Sequence, residues 1–310
     1  MILYSGTHLD IKRLHCSLSY HCYTIWLFTF SDLKTIIIPT TFFGLVGALS
    51  GQPMLSASLS PSAITSRALH VLFWTWSTLL PFDINNQCQG PAITEDSYNK
   101  SWRPLPSKRI SPKIATLLMM CLYAENMLIS IYMGVFWQAL SLLCLGTWYN
   151  RLGGADRSCI ERNIINAGGY VSFITGALTV AINKQDSDAE FGPIARSWFL
   201  CVGLIIFTTV HTQDFEDVDG DTARGRETVP LAFGDDVARG IVTLAVPFWS
   251  LLMPCYFQSQ LLGYLCPFIL GTIVSFRIFT KRKVEDDRLT FRLWNLWIIS
   301  LYTIPFYITV

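Results

Sequence analysis

The chain has 310 residues, 51% of them apolar and only 15% charged, with a mean hydropathy of +0.39 and a net charge of +1. An average soluble domain is roughly 25% charged, so a water-soluble protein of this composition would leave too much apolar surface exposed. The near-neutral balance excludes nucleic acid as a partner, because phosphate binding needs a clear positive excess. What remains is an all-α, polytopic membrane protein whose first partner is the lipid bilayer.

From the N-terminus, residues 1–33 predict an interfacial segment: the apolar stretch Tyr23 to Phe30 is too short for a cleaved signal, and Asp32 and Lys34 follow it directly. Residues 34–310 form the transmembrane domain. Hydropathy predicts nine spans in it, near 34–50, 68–87, 113–131, 133–149, 162–182, 193–213, 236–257, 260–279 and 291–309. The third and fourth meet at Met133-Gly134.

The basic residues give an independent check. The N-terminal flank, with Lys12, Arg13 and Lys34, and the regions after spans two, four, six and eight hold 20 of the 23 Lys and Arg; the other loops hold only Arg67, Lys184 and Arg196. Such alternation is what nine spans with a cytoplasmic N-terminus require, so the two signals agree. The Asn99-Lys100-Ser101 sequon then lies in a cytoplasmic loop and is expected to stay unmodified. The nine cysteines, Cys16 among them, occur singly with no Cys-x-x-Cys pair, which points to small apolar packing groups and not to zinc or redox chemistry.

Two polar loops stand out. His211 to Pro230 holds six of the 22 acidic residues and runs straight on from an apolar span. Asp214, Asp217 and Asp221 are spaced three and four apart, so in a continuing helix they share one face. Three adjacent carboxylates repel unless a cation lies between them, and a hard divalent ion with phosphate oxygens completing its shell meets that need; Mg²⁺ fits best. Charge at the end of a membrane helix is expensive and normally functional. The other loop, Pro81 to Ser111, joins Asn85, Asn86, Gln87, Glu95, Asp96 and Asn99 to the basic Lys100, Arg103, Lys108 and Arg109. Carboxylates for metal beside basic groups for phosphate point to a diphosphate substrate.

On these motifs the chain resembles the UbiA superfamily of intramembrane prenyltransferases, from Ser31-Asp-Leu-Lys-Thr to Asn163-Ile-Ile-Asn-Ala-Gly-Gly-Tyr170, with Asp214-Phe-Glu-Asp-Val-Asp-Gly-Asp221 similar to the family's second Asp-rich motif. The resemblance implies nine helices around a central cavity that opens to the cytoplasmic face. It implies Asn86, Asp96, Asp217 and Asp221 as catalytic metal-binding residues, Asp214 as a further metal ligand, and Asn99, Lys100, Arg103 and Lys108 as ligands of the substrate diphosphate. The first motif departs from the family pattern: Gly90 stands at the middle acidic position, Asp96 comes late, and Ser101 replaces a proline, which leaves fewer carboxylates for the first metal site, with Glu95, Gln87 or Asp83 as candidate substitutes.

The Asn86-Gln87 opening and the phrase HTQDFEDVDGD look most like fungal UbiA-type proteins of secondary metabolism, a group that includes membrane-bound terpene cyclases. The expectation is thus a Mg²⁺-dependent terpene cyclase that ionises a linear prenyl diphosphate, geranylgeranyl favoured over farnesyl, with its cation held by some of Phe73, Trp74, Trp76, Tyr123, Trp148, Tyr149, Phe173 and Phe207. A prenyltransferase acting on an aromatic or other small acceptor is the alternative. A transporter is the second alternative, for which Glu125-Asn126 inside the third span must be explained; we expect that pair to be buried and hydrogen-bonded between helices. The endoplasmic reticulum is the expected membrane, and no obligate protein partner is evident.

Overall fold

The structure, a computed structural model, describes residues 6–52, 54–57, 59–183 and 189–308, with side chains from Leu18 onward. The side chains of Lys12, Arg13 and Cys16, together with Lys184 and the last residue of the ninth predicted span, lie outside the described residues. Among the described residues the chain is helical, with only isolated bridges such as Leu55 to Phe191 in extended pairing.

Helix α1 (Gly6–Thr29) leads through a 3₁₀ turn (Phe30–Asp32) and a π turn (Leu33–Ile37) into α2 (Ile38–Leu49). A short α3 (Pro61–Ser66) precedes α4 (Ala68–Gln87), α5 (Gly90–Asn99), α6 (Pro112–Tyr132) and α7 (Phe136–Asn150). Then come α8 (Gly154–Arg157), α9 (Cys159–Ile182), α10 (Pro193–Thr209) with a 3₁₀ turn to Gln213, α11 (Val218–Arg224) and α12 (Val229–Phe233). The chain closes with α13 (Asp235–Tyr256), α14 (Leu261–Thr280), α15 (Val284–Leu301) and a 3₁₀ turn (Ile304–Tyr307).

Local chemistry sets several boundaries. Ser111 caps α6 by accepting a bond from the Ile114 amide, with Pro112 in the first turn, where a missing N–H costs nothing. Helix α6 stops at Met133, and Gly134 turns the chain into α7 with φ of +71°, a backbone angle that a side chain would oppose. The division at Met133-Gly134 is therefore real.

Each of the nine predicted spans coincides with a helix, but by length and composition six segments among the described residues can cross a membrane: Leu18–Leu49, Pro112–Tyr132, Cys159–Ile182, Pro193–Gln213, Asp235–Tyr256 and Leu261–Thr280. Three fall short for separate reasons. Helix α4 carries Asp83, Asn85, Asn86 and Gln87 in its last turns, α7 has only 15 residues, and α15 opens with Glu285, Asp286 and Asp287. The first segment also begins earlier than expected, so part of the predicted interfacial stretch belongs to one apolar helical run with α2. Outward positions on the long helices are apolar, Leu117, Leu128, Leu244 and Phe276 being more than half exposed, which suits lipid and not water. The protein is an integral membrane protein.

Helix α9 stands at the centre, packed against α2, α4, α7 and α10, while α13, α14 and α15 form a layer to one side. Buried aromatics fill the bundle, and their polar tips find partners: Trp74 Nε1 donates to Ser130 Oγ at 3.1 Å and Trp297 Nε1 to Ser250 Oγ at 2.8 Å. Asn126 is buried as expected and donates to Thr78 Oγ1 at 2.9 Å, but Glu125 beside it is exposed. A one-residue step turns a helical side chain by about 100°, so the two cannot share the interhelical face expected of the pair.

Candidate functional site

The stretch Pro81 to Ser111 is not a plain loop. Helix α4 continues to Gln87, and α5 follows after two residues, so much of the first motif is helical. Asp83 and Asn86, one turn apart on α4, face a cavity inside the bundle. Their neighbours fasten the helix: Gln87 donates to Phe28 O at 2.8 Å, and Asn85 accepts from Arg151 Nε at 3.0 Å. Helix α5 presents Glu95 and Asp96, both buried. Asp96 accepts from Arg103 Nη1 at 2.7 Å, and Glu95 takes one bond from Arg224 and one from Arg226, each 2.9 Å.

The acidic segment also departs from the sequence expectation. The helix through Thr209 does not continue: a 3₁₀ turn ends at Gln213, and α11 begins only at Val218. Asp214, Asp217 and Asp221 therefore do not line up on one face, and each has its own cation. Asp214 accepts two bonds from Arg162 Nη1 at 2.6 and 2.7 Å, Asp217 one from Lys100 Nζ at 2.7 Å, and Asp221 one from Arg226 Nη1 at 3.2 Å. Breaking the helix lets three mutually repelling carboxylates separate.

These contacts join the two motifs. Lys100 pairs with Asp217, and Asn99 Nδ2 donates to Asp217 O at 3.1 Å. Gly220 packs so closely on the Asn99 amide that any Cβ would overlap it. Asn99 is thus the clasp between α5 and α11. Asp156, in the short α8, adds a second bridge through Arg224 and Arg226. Of the predicted site residues, Asn86, Asp96, Asn99, Lys100, Arg103, Asp214, Asp217 and Asp221 belong to this rim or the cavity mouth; Lys108 stands exposed in the turn after Arg103, with no ion pair among the described residues. Sequence reasoning missed Glu95 as an arginine anchor, Arg162, and Asp32, which the 3₁₀ turn brings to the cavity mouth. Only the three-dimensional pairing reveals them, although Arg162 had a signal: a basic residue at the start of a membrane helix.

The electrostatics are those of crowded, poorly hydrated charges. Burial pushes the Asp221 carboxyl up to about 7, helped by the Asp214 and Glu95 charges and opposed by Arg162 and Arg226. Burial likewise raises Asp96 and Asp214 despite their arginine partners. Asp217 differs. Burial pushes it up, but Lys100, with Arg103 and Arg162 behind it, outweighs that and holds the group below the usual carboxylate range. For Arg103, burial works against the charge, yet Asp96, Asp32, Asp83 and Asp217 together raise its affinity for the proton. One guanidinium thereby links the rim acids to those at the cavity mouth.

Several rim atoms remain unsatisfied. Asp83 Oδ2, Asn86 Oδ1, Asp96 Oδ2 and Asp221 Oδ2 are buried without a hydrogen-bond partner, and so are Arg103 Nε, Arg162 Nε and Arg226 Nη2. Burying such groups unpaired costs about 1–3 kcal/mol each, so orphans of both signs at one rim suit a ligand that brings cations and anionic oxygens together. Among the described residues no three His, Cys, Asp or Glu side chains converge as a ready-made metal cage. A hard cation that takes one or two protein oxygens and completes its shell with phosphate, as magnesium does, fits this donor set.

Below the rim lies a cavity with about 970 Å³ of empty space, open mouth included. Its mouth carries Asp32, Asp83, Asn86 and Gln213, and its walls include Leu142, Leu143, Leu145 and Ile165. Of the predicted aromatics, Tyr123, Tyr149 and Phe173 line it, joined by Phe82 and Tyr170, which sequence reasoning did not select. The others lie elsewhere. Phe73 is exposed, Trp74 is buried in the core, Trp76 donates to Thr29, Trp148 donates to Glu161, and Phe207 is not part of the lining.

The UbiA prenyltransferase family model matches residues 86–298, more than half of the chain. The fumagillin beta-trans-bergamotene synthase of Aspergillus fumigatus is 27% identical over 284 residues, covering 92% of each chain. A diterpene cyclase of Hericium erinaceus is 27% identical over 281 residues, covering 86% of this chain and 82% of its own. Among solved structures, a UbiA homolog from Archaeoglobus fulgidus bound to GPP and Mg²⁺ superposes with a TM-score of 0.61 at 14% identity, covering 91% of this chain and 99% of its own. With two polar motifs clasped over a cavity and a family match across both, the chain is an enzyme of the UbiA prenyltransferase family.

Proposed function

We propose that this protein is a magnesium-dependent terpene cyclase, which ionises a linear prenyl diphosphate, geranylgeranyl favoured over farnesyl, and closes the chain on itself inside the bundle. The observation that carries this reading is the apolar, aromatic-lined cavity directly beneath a rim of orphaned oxygens and guanidinium N–H groups. The relatives named as a bergamotene synthase and a diterpene cyclase, each matching over most of the chain, favour cyclisation over transfer to an acceptor.

Asn86 and Asp96 on one side, and Asp217 and Asp221 on the other, would hold magnesium, with Asp214 serving to seat Arg162. Bound magnesium supplies charge neutralisation that makes diphosphate a better leaving group. Lys100, Arg103, Arg162 and Arg226 bind and orient the phosphate oxygens, the arginines through N–H groups free of other partners. Asn99 keeps the two motifs in register. The aromatic faces of Tyr149 and Phe173 stabilise the allylic cation by about 0.5–2 kcal/mol each in a water-poor cavity. We propose nine spans with the rim on the cytoplasmic side, α4, α7 and α15 crossing within the shelter of their neighbours, and the endoplasmic reticulum as the host membrane.

The test is purified protein in lipid with Mg²⁺ and geranylgeranyl or farnesyl diphosphate as sole substrate. The expected result is a cyclic terpene and stoichiometric diphosphate, both abolished by Asp217→Ala and by Asp221→Ala. Linear alcohol alone, with prenylation once a phenol is supplied, would establish a transferase instead. Absence of diphosphate release altogether would overturn both prenyl diphosphates as substrates.

A further inference from the structure

Two polar side chains on the cavity-facing side of α9 have no part in diphosphate binding. On α9, Arg162 marks the rim; Asn166 lies one turn deeper and Tyr170 a second turn deeper, about 6 and 12 Å along the axis. Both line the cavity, and Asn166 Nδ2 and Tyr170 Oη are buried without a hydrogen-bond partner. Tyr170 is only 7% exposed. Elsewhere in the lining Asn126 is satisfied by Thr78, while the Tyr123 hydroxyl on α6 is also buried without a hydrogen-bond partner. A purely hydrocarbon ligand would leave Asn166 and Tyr170 orphaned, and buried orphans of this kind are normally met by water or a ligand. Between them Gly169 also lines the cavity, and a Cβ there would meet nothing within 4 Å. The helix thus provides two hydrogen-bonding groups four residues apart, about 5–6 Å between their Cβ atoms, with free space beside the backbone that joins them.

We infer that Asn166 and Tyr170 hold a water molecule beside the ring cation, and that this water ends the reaction, so that the protein releases a cyclic terpene alcohol. The inference rests on the cyclase reading above. Water needs two to four polar partners to be held in place, and these two side chains supply a donor from the amide and a donor or acceptor from the phenol. In the step itself, a water lone pair forms the new C–O bond to the carbocation. One water O–H bond breaks, and its proton passes to the diphosphate released at the start, so prenyl diphosphate plus water gives cyclic alcohol plus protonated diphosphate. Asn166 and Tyr170 act as positioning residues for the water.

The experiment runs the Mg²⁺ reaction in oxygen-18 water and analyses the products by mass spectrometry. A cyclic alcohol bearing the heavy isotope is expected. In Asn166→Leu, Tyr170→Phe and Gly169→Val the ratio of cyclic alcohol to cyclic hydrocarbon should fall by about tenfold, the worth of one hydrogen bond to the nucleophile. A ratio within one reaction is not moved by a general loss of activity or folding, and the wild-type label stands without any variant. Cyclic hydrocarbon as the sole wild-type product, or an unchanged ratio in all three variants, overturns the inference while leaving the cyclase intact. Acyclic products alone, or prenylation of an added phenol, overturn both.

Discussion

Replacing Arg162 by methionine removes the partner of a carboxylate with almost no access to water. The Arg162 and Asp214 side chains are 5% and 1% exposed, and both bonds between them are shorter than 2.8 Å. Losing one member of such a pair leaves an uncompensated buried charge and costs about 3–5 kcal/mol, a large part of the roughly 5–15 kcal/mol that holds a folded domain together. Because burial already raises the affinity of Asp214 for a proton, the variant should escape part of that cost by protonating Asp214, and its stability should improve on acidification. Thermal melts in detergent should show a midpoint lowered by roughly 6–15 °C at neutral pH. The double variant Arg162→Met, Asp214→Leu should recover most of this loss, since an apolar pair of similar volume is often as stable as a buried ion pair. A single variant as stable as the parent, or a double variant no better than the single, would refute the reasoning.

Two further outcomes follow from the rim. Gly220→Ala places a methyl group into the Asn99 amide, so α5 and α11 must part; melting should drop by the equivalent of about 1–3 kcal/mol, and diphosphate release should fall, with Asn99→Gly restoring part of both. Asp221, whose carboxyl is raised to about 7 by burial, binds a proton in the folded protein over a range where the unfolded chain, near 3.9, has lost it. Its contribution therefore turns progressively unfavourable as pH rises from about 4 to about 7 and is constant above. Metal-free melts should show this slope, Asp221→Asn should flatten it, and Mg²⁺ should release protons on binding near neutral pH; a slope unchanged in Asp221→Asn would exclude this origin.

Much of the fold was legible because membrane helices advertise themselves. Apolar runs such as Leu261 to Thr280 and the break at Gly134 sit where hydropathy and turn chemistry place them. The second motif was recognisable for a similar reason: Asp217 and Asp221 are local, and carboxylates beside an apolar run are rare. What failed was any inference that assumed regular geometry. Asp214, Asp217 and Asp221 share a helical face only if the helix continues, and it yields at Thr209 instead. Lys108, five residues past Arg103, is carried out into solvent.

The amino-acid order by itself determined the solvent in which this protein lives, the helical character of nearly every segment and the family to which its acidic motif belongs, because those depend on composition and on spacing within one element. Tertiary structure alone decided which charges meet. Glu95 clamps two arginines more than a hundred residues away, Lys100 finds Asp217 across the rim, and Asn166 and Tyr170 turn into a cavity instead of toward lipid. The reason is physical: a charge or dipole at low dielectric is governed by whatever lies within a few ångströms of it, and that neighbourhood comes into being only when distant helices pack.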